Sequence, residues 1–539
     1  MRWLAMLLFA ACASTPHPRF ANAPPVLQVD DRHDVKTKPS ERPFLRASLH
    51  FDSYYLQLVR AFKLTRDRRA LGVNSFDDVP DSTWFTNRIG KRAATLDEIR
   101  RGPGLDSPEG HFPWTIMRLK AGGTAPGFVI KDNRGSQFLL KFDRPGFPEL
   151  ETAVDAIVAR LLWLSGYNVP SDHVVYFTPA DLLLAPDAYI KVGDKKKKLD
   201  KKQVDETFAT LQESPGKLRG IASILVDGKP LGGAPRVGVR ADDPNDRIPH
   251  EMRRDIRGQA AVIAWLAHAD VKEDNTIDVW QTDPANKDIH YVVHYLLDFG
   301  EAMGADIAVN KGHSLGYEYS IDFKAILKWA VTLGLAPTPW KARAAPGILG
   351  IGVYSNEGYN PGAWRTSTPA HLPVIWADRF DQFWGSKVII KFTREQIEAA
   401  VDSGRFTDPR AKPYLVDTLV ARQRTTARYW FSRVNPIDDF AIESGRLCFT
   451  DLALRHQLET VATQFTARSS DAAGRSMKAP TSVATDPAGR ACMSLDLADG
   501  QDRYTIVHID SSRGMPGTQV HVSVDPATGQ PHVIGIYRL

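Results

Sequence analysis

Between residues 111 and 177 the apolar residues change period twice, and no other feature of the chain constrains its fold as strongly. The stretch TIMRLKAGGTAPGFVIKDNRGSQFLLKFDR reads as strand, glycine turn, strand, turn, strand. Its segments FVIKD and SQFLLKF are joined by NRG, a hairpin signal, because asparagine and glycine accept the backbone angles of a tight turn. PELETAVDAIVARLLWLSGYNVP then places Val154, Ile157, Val158, Leu161, Leu162 and Leu164 at helical spacing and stops at Gly166 and Pro170. DHVVYFT returns to strand character. Strands and helices segregated in this way predict an α+β domain.

The flanking sequence extends this pattern. A charged insertion occupies 190–217, and its run KKKKLDKK, followed by QVDETFATL, reads as a solvated insertion, with a membrane-surface or polyanion contact as the alternative. GIASILVDG resumes strand character. In DDPNDRIPHEMRRDIRGQAAVIAWLAHAD, Pro249 stands near a predicted helix start with acids early in the helix. Its aspartates lack the EF-hand spacing and terminal glutamate, and His250–Glu251 lacks the second histidine of a zinc helix. IDVW and IHYVVHYLL form a predicted hairpin. SIDFKAILKWAVTLGL, TREQIEAAV and AKPYLVDTLVARQRTTARYWFSRV are helical in pattern. Beyond 441 short strand-like segments predict a separate β domain. The expected organisation is therefore 1–43 as leader and tether, 44–110 as an N-terminal extension, 111–235 as a sheet lobe, 236–440 as a helical lobe, and 441–539 as a β-rich domain.

The 539 residues suffice for about two to four domains. A net charge of +5 is slight for that length, and the chain lacks the dense basic, aromatic-interleaved face of a nucleic-acid binder. The N-terminus MRWLAMLLFAACAS has one arginine, an apolar run over 3–11 and then Cys12, the layout of an export signal. FAAC resembles a bacterial lipobox, with Phe9 where leucine is commoner. That resemblance implies lipidation of Cys12 and a membrane-anchored lipoprotein of the envelope, periplasmic or at the outer membrane; a plain secretory signal is the alternative. Pro-rich polar sequence after it suits a tether. Cys448 and Cys492 then remain as an even pair in strand-like segments, either bridged or as two core thiols. No later segment reaches the roughly 18–20 apolar residues of a membrane span.

The chemistry concentrates at HADVKEDNTIDVW, residues 268–280, where a predicted helix delivers the chain into His268, Asp270 and, five residues on, Asn275. The hairpin after it leads to Asp298-Phe299-Gly300, and upstream Lys141 ends a strand before the acidic helix. HADVKEDN resembles the protein-kinase catalytic loop, LLDFG the metal-binding motif of that family and FLLK its strand lysine. The similarity to the protein-kinase-like superfamily covers roughly 110–440 and implies a two-lobed fold. It also implies roles, since phosphoryl transfer asks for positioning and charge neutralisation. Asp270 would orient the acceptor hydroxyl and take its proton, with His268 in the same loop and Lys272 reaching the transferred phosphate. Lys141 would hold the inner phosphates of ATP, and Gly122 and Gly123 would let the backbone approach the nucleotide. Asn275 and Asp298 would hold Mg²⁺ or Mn²⁺ through hard oxygen ligands. For the lysine's acid partner, counting back from Gly166 as in the HipA group selects Asp155. Glu151, four residues earlier on the same face, stands close behind.

The departures are informative. KAGGTAPG is not the G-x-G-x-x-G loop, Asn275 and Asp298 are 23 residues apart, and EAMGADIAVNKGHSLGYEYS after Gly300 has no Ala-Pro-Glu. The chain thus resembles the atypical side of the superfamily, HipA-like or phosphoinositide-kinase-like, with GYNVP pointing to the HipA group. The expected function is an ATP- and Mg²⁺-dependent phosphotransferase of the envelope with a protein, lipid or small-molecule acceptor, nucleotidyl transfer being open to the same motifs. The alternative is a pseudokinase-like lipoprotein that binds a ligand or partner.

Overall fold

The computed structural model describes residues 19–43, 53–55, 68–104, 106–120, 126–192, 195–209, 211, 213–214, 217–319, 321–367 and 371–539. Cys12, Gly122 and Gly123 lie outside them, as does most of 44–67. The chain forms two compact units. The larger holds 26–74 and 78–434; the smaller holds 435–539 with 75–77 and the described part of 1–25.

The larger unit begins with a mixed sheet. Its strands are β1 (Trp114–Leu119), β2 (Gly127–Lys131), β3 (Gln137–Lys141), β4 (Asp172–Phe177), β5 (Leu182–Val192), β6 (Lys195–Lys198), β7 (Glu213–Ser214) and β8 (Lys217–Ile224), in the order β4-β8-β3-β2-β1-β5-β6 with β7 on β8. The β2–β3 hairpin turns on Asp132, whose Oδ1 accepts from the backbone N–H of Arg134 and Ser136, each at 3.0 Å, while Gly135 takes φ +91°. Alternation along β3 buries Phe138 and Leu140 with Trp114, Phe128 and Phe177, and turns Lys141 to the opposite face. The lysine run 195–198 is an ordered edge strand paired with 189–192, its side chains in solvent. Charged side chains on an edge discourage pairing with a further chain.

Helix α1 (Leu150–Ser165) is buried on nearly every side because it has two partners. Ala156 meets Val174 and Ile221 of the sheet, whereas Val154, Ile157 and Leu161 join Trp265, Trp384 and Leu415 in the main core. It ends at Gly166, φ +116°, where a Cβ would stand 2.2 Å from the Phe85 ring, so only glycine fits.

A second sheet of β9 (Lys229–Pro230), β10 (Thr276–Thr282) and β11 (His290–Leu296) follows. The helical lobe is built from α2 (Arg254–Leu266), α3 (Phe323–Val331), α4 (Arg379–Ile389), α5 (Arg394–Asp402) and α6 (Ala411–Phe431). Pro249 opens a 3-10 turn over His250–Met252 instead of the helix itself. Arg253 is extended and bridged to Leu71, which postpones α2 to Arg254. Helices α2 and α4 cross closely at Gly258 and Gly385. Asp381 of α4 is locked between the Nε atoms of Arg254 and Arg257, both at 2.7 Å. Trp84 is stacked on His294 with ring centroids 3.6 Å apart, a packing role.

The smaller unit holds two antiparallel sheets, β12-β13-β16 and β15-β14-β17-β18-β19. Their strands are Ile437–Glu443 (β12), Arg446–Asp451 (β13), Gln464–Asp471 (β14), Thr481–Ala484 (β15), Arg490–Ser494 (β16), Thr505–Ser511 (β17), Thr518–Val524 (β18) and Pro531–Arg538 (β19). Leu447, Phe449, Phe465, Val507 and Val520 fill the space between. Cys448 and Cys492 face each other in the β13–β16 register and are disulfide-bonded, closing the alternative of two free thiols. The architecture is thus α+β, a sheet lobe and a helical lobe in one unit and a β-rich C-terminal unit. Among the described residues no helix is long and apolar enough to cross a membrane.

Candidate active site

Lys141 leaves the end of β3 on the face that meets α1, and its Nζ lies 2.6 Å from Asp155 Oδ2 and 3.0 Å from Asp298 Oδ1. The other oxygen of Asp155 accepts from the Phe299 N–H at 3.0 Å. One buried carboxylate thus ties the strand lysine to the backbone of the Asp-Phe-Gly turn. Burial opposes the Lys141 charge, but Asp155 and then Asp298 outweigh it and hold the ammonium well above the usual lysine range. In return Lys141 holds the Asp298 carboxyl below its ordinary value. Asp298 adopts φ +62°, uncommon for a residue other than glycine, and keeps its side chain 59% exposed while that of Asp155 is 2% exposed.

Glu151 points elsewhere. It pairs with Arg144 at 3.1 Å, and Arg144 also reaches Glu301 at 2.9 Å and Asn310 at 2.9 Å. Beneath Lys141 and Asp155 lies Asp172, whose carboxyl is raised by burial and then by the charge of Asp155.

The loop half follows from the end of α2. Ala267 turns left-handed, φ +49°, and the His268 N–H donates to Ile263 O at 2.9 Å, which stops the helix and starts the loop. Both oxygens of Asp270 accept from Lys272 Nζ, at 2.8 and 2.7 Å. Asn275 Nδ2 donates to the Asp270 carbonyl at 2.7 Å and to its Oδ2 at 2.9 Å, fixing the loop's shape. The Leu297 N–H donates to Asn275 O at 2.9 Å, so the loop is stitched to the strand that presents Asp298. His268 is buried under the loop, edge-on to Phe299 with centroids 6.0 Å apart, and its Nδ1 has no hydrogen-bond partner among the described residues. Burial depresses the imidazole's pKa. Its place is that of a packing and positioning group.

A divalent cation fits the donor set. Asn275 commits its amide nitrogen to Asp270, so its Oδ1 is the donor it would offer a cation, and Asp298 would offer an accessible carboxylate; both are hard oxygen donors. Beside Asp270 opens a cavity of about 630 Å³, walled by Ala269, Glu301, Asp306, Tyr317, Arg343 and Trp364 among others. Burial, then the charges of Asp270 and Asp306, push Glu301 up to about 7. Arg144, Asp172 and Glu301 are site residues that the sequence reading passed over. Glu301 had a signal, since it directly follows Asp-Phe-Gly; Arg144 and Asp172 had none.

No family model and no curated protein matches the sequence. One solved structure that it is similar to is the Rio2 kinase–ADP/Mg²⁺–phosphoaspartate complex from Chaetomium thermophilum. The likeness is 13% identical over 53% of this chain and 70% of that one, with a TM-score of 0.19. At that TM-score it carries no argument about activity.

Proposed function

We propose that the chain is an atypical, protein-kinase-like phosphotransferase that moves the γ-phosphate of ATP to a hydroxyl acceptor. The observation that carries the reading is the closed set Lys141–Asp155–Asp298, with the Phe299 N–H on Asp155, beside a loop that holds Asp270 and Asn275. In this reading Lys141 binds the inner phosphates. Asp270 takes the acceptor's proton as its oxygen attacks the γ-phosphorus; that P–O bond forms while the bond to the β,γ-bridging oxygen breaks and ADP leaves. Asp298 and Asn275 would hold Mg²⁺ or Mn²⁺, which neutralises phosphate charge. Lys272 releases the Asp270 carboxylate as it turns to the transferred phosphate. The cavity beside Asp270 is a cleft open to solvent on one side, which gives an acceptor access to the Asp270 loop. Export and a lipid anchor on Cys12 belong to the same proposal and rest on the N-terminal sequence.

One observation favours a second reading, a pseudokinase-like binding protein: both oxygens of Asp270 are occupied by Lys272. The two are separated by incubating the full chain and its D270N variant with γ-labelled ATP and Mg²⁺ or Mn²⁺, following label in protein, water and added acceptors. Loss of a general base costs about 10²–10⁴-fold in rate. Turnover of that sensitivity supports the transferase; nucleotide binding without turnover supports the second reading; turnover unaffected in D270N refutes the role of Asp270.

A further inference from the structure

Helix α3 presents its apolar stripe outward. Phe323, Ile326, Leu327 and Val331 recur at i, i+3, i+4 and i+8 and so share one face, and all are exposed, Val331 by 75%. Leu333 and Leu335, in the turn that follows, are 88% and 85% exposed. Ala325 and Trp329, on the other face, are the half-buried ones. A helix of a water-soluble surface has the reverse arrangement, with the stripe toward the core. Exposed large apolar residues elsewhere among the described residues are scattered, whereas here six fall within 323–335.

The charges identify the occupant. Lys324 and Lys328, four residues apart, run along one border of the stripe. Between 318 and 345 the basic residues are Lys324, Lys328, Lys341 and Arg343, and the acids are Glu318 and Asp322; Glu318 is turned toward Trp329 on the inner face, within reach of the Lys328 charge. Asp322 is spent as the helix cap, its Oδ1 accepting from the Lys324 and Ala325 N–H groups at 3.0 Å. We infer that α3 and the turn after it dock into the surface of an anionic bilayer, the apolar stripe entering the acyl boundary and the two lysines reaching headgroup phosphates. A second copy pairing stripe to stripe would bring the same lysines together, with Asp322 held at the helix cap and Glu318 on the inner face beside Trp329. An anionic bilayer meets both the stripe and the lysines.

This inference is independent of phosphotransfer, yet it bears on the cavity beside Asp270. The excursion that carries α3 closes at its base where the Tyr317 and Trp340 rings meet, centroids 5.4 Å apart, with the Arg343 guanidinium 4.5 Å over Tyr317. Tyr317 and Arg343 also wall the cavity. Docking would therefore bring one wall of the cavity to the lipid surface.

The test is flotation of the full chain carrying C12S, which removes any acyl anchor, with vesicles of equal parts phosphatidylcholine and phosphatidylglycerol. The variants I326E/L327E/V331E and K324Q/K328Q are compared in the same background. The expected result is binding that falls by at least about tenfold in the glutamate variant and by about tenfold or more in the glutamine variant, with weak binding to phosphatidylcholine alone. The substituted side chains are solvent-facing, so unchanged circular dichroism is expected. L327C, labelled with an environment-sensitive dye on the single free thiol, should shift to the blue with the anionic vesicles. Equal flotation of all three proteins, or a dye that does not respond, overturns the inference. A concentration-dependent dimer abolished in the glutamate variant, without vesicle binding, overturns it in favour of self-association.

Discussion

Replacing Asp155 by asparagine removes one negative charge from a fully enclosed side chain and keeps its shape. In the wild type Oδ2 holds the Lys141 ammonium at 2.6 Å and Oδ1 accepts from Phe299 N–H at 3.0 Å. The asparagine carbonyl can keep the Phe299 hydrogen bond, so the loss falls on the ion pair. Deleting one partner of a buried pair costs about 3–5 kcal/mol, because the survivor stays buried and uncompensated. Two features pull the expected value down. Lys141 retains Asp298 at 3.0 Å, and Asp172, whose carboxyl the Asp155 charge helps to raise, is relieved. The expected loss is therefore about 3 kcal/mol, read in the guanidinium transition of the larger unit at neutral pH. Glu151→Gln is the matched control. Arg144 keeps Glu301 at 2.9 Å and is closer to solvent, so about 1 kcal/mol is expected there. If E151Q were the costlier change, or D155N lay within about 0.5 kcal/mol of wild type, Asp155 would not be the lysine's partner.

Three further outcomes follow from the packing and electrostatics. In G385A the new Cβ would stand 2.3 Å from Gly258 O and 3.0 Å from Ala261 Cβ, so the α2–α4 crossing must open. A loss of about 3 kcal/mol is expected in denaturant, and a neutral substitution would mean that the helices are not in contact there. Glu301, raised to about 7, binds its proton more tightly in the folded chain than its ordinary value of about 4.3 allows. Its contribution is therefore fullest below that ordinary value and fades as pH rises toward 7. E301Q should match wild-type stability near about pH 3–4 and exceed it by about 2–3 kcal/mol near about pH 8; a difference that is flat with pH would contradict the burial argument. The bond between Cys448 and Cys492 closes a separation of 44 residues, so C448A/C492A should lose about 4 kcal/mol in the transition of the smaller unit, with an unchanged midpoint as the contrary result.

The elements legible in the sequence are those whose local pattern and burial agree. The β2–β3 hairpin announces itself through its turn residues, α1 through its period and its glycine stop, and the β10–β11 hairpin through alternating apolar residues. The start of α2 was displaced because a bridge from Leu71, distant in sequence, holds Arg253 extended. The strands Gln464–Asp471 and Thr481–Ala484 carry a weak signal because serine and threonine dilute their alternation. At the site, Lys141, Asp270, Asn275 and Asp298 were readable from motif order. Asp155 was selected over Glu151 only by its distance from Gly166, since residues four apart share a helix face. Geometry separates them through Arg144, which draws Glu151 toward Glu301 and leaves Asp155 to the lysine. Likewise SIDFKAILKWAVTLGL shows that a helix is amphipathic without showing which face is covered.

The central claim is a metal-dependent nucleotide site built on Asp298, and calorimetric titration of ATP into the full chain tests it most directly. The titration is run with Mg²⁺, with Mn²⁺ and without metal, beside the D298N variant. Saturable binding that requires the metal and weakens by at least about tenfold in D298N is the expected result, because the variant loses the anionic ligand while keeping its size. Equal binding by D298N, or binding indifferent to metal, would contradict it.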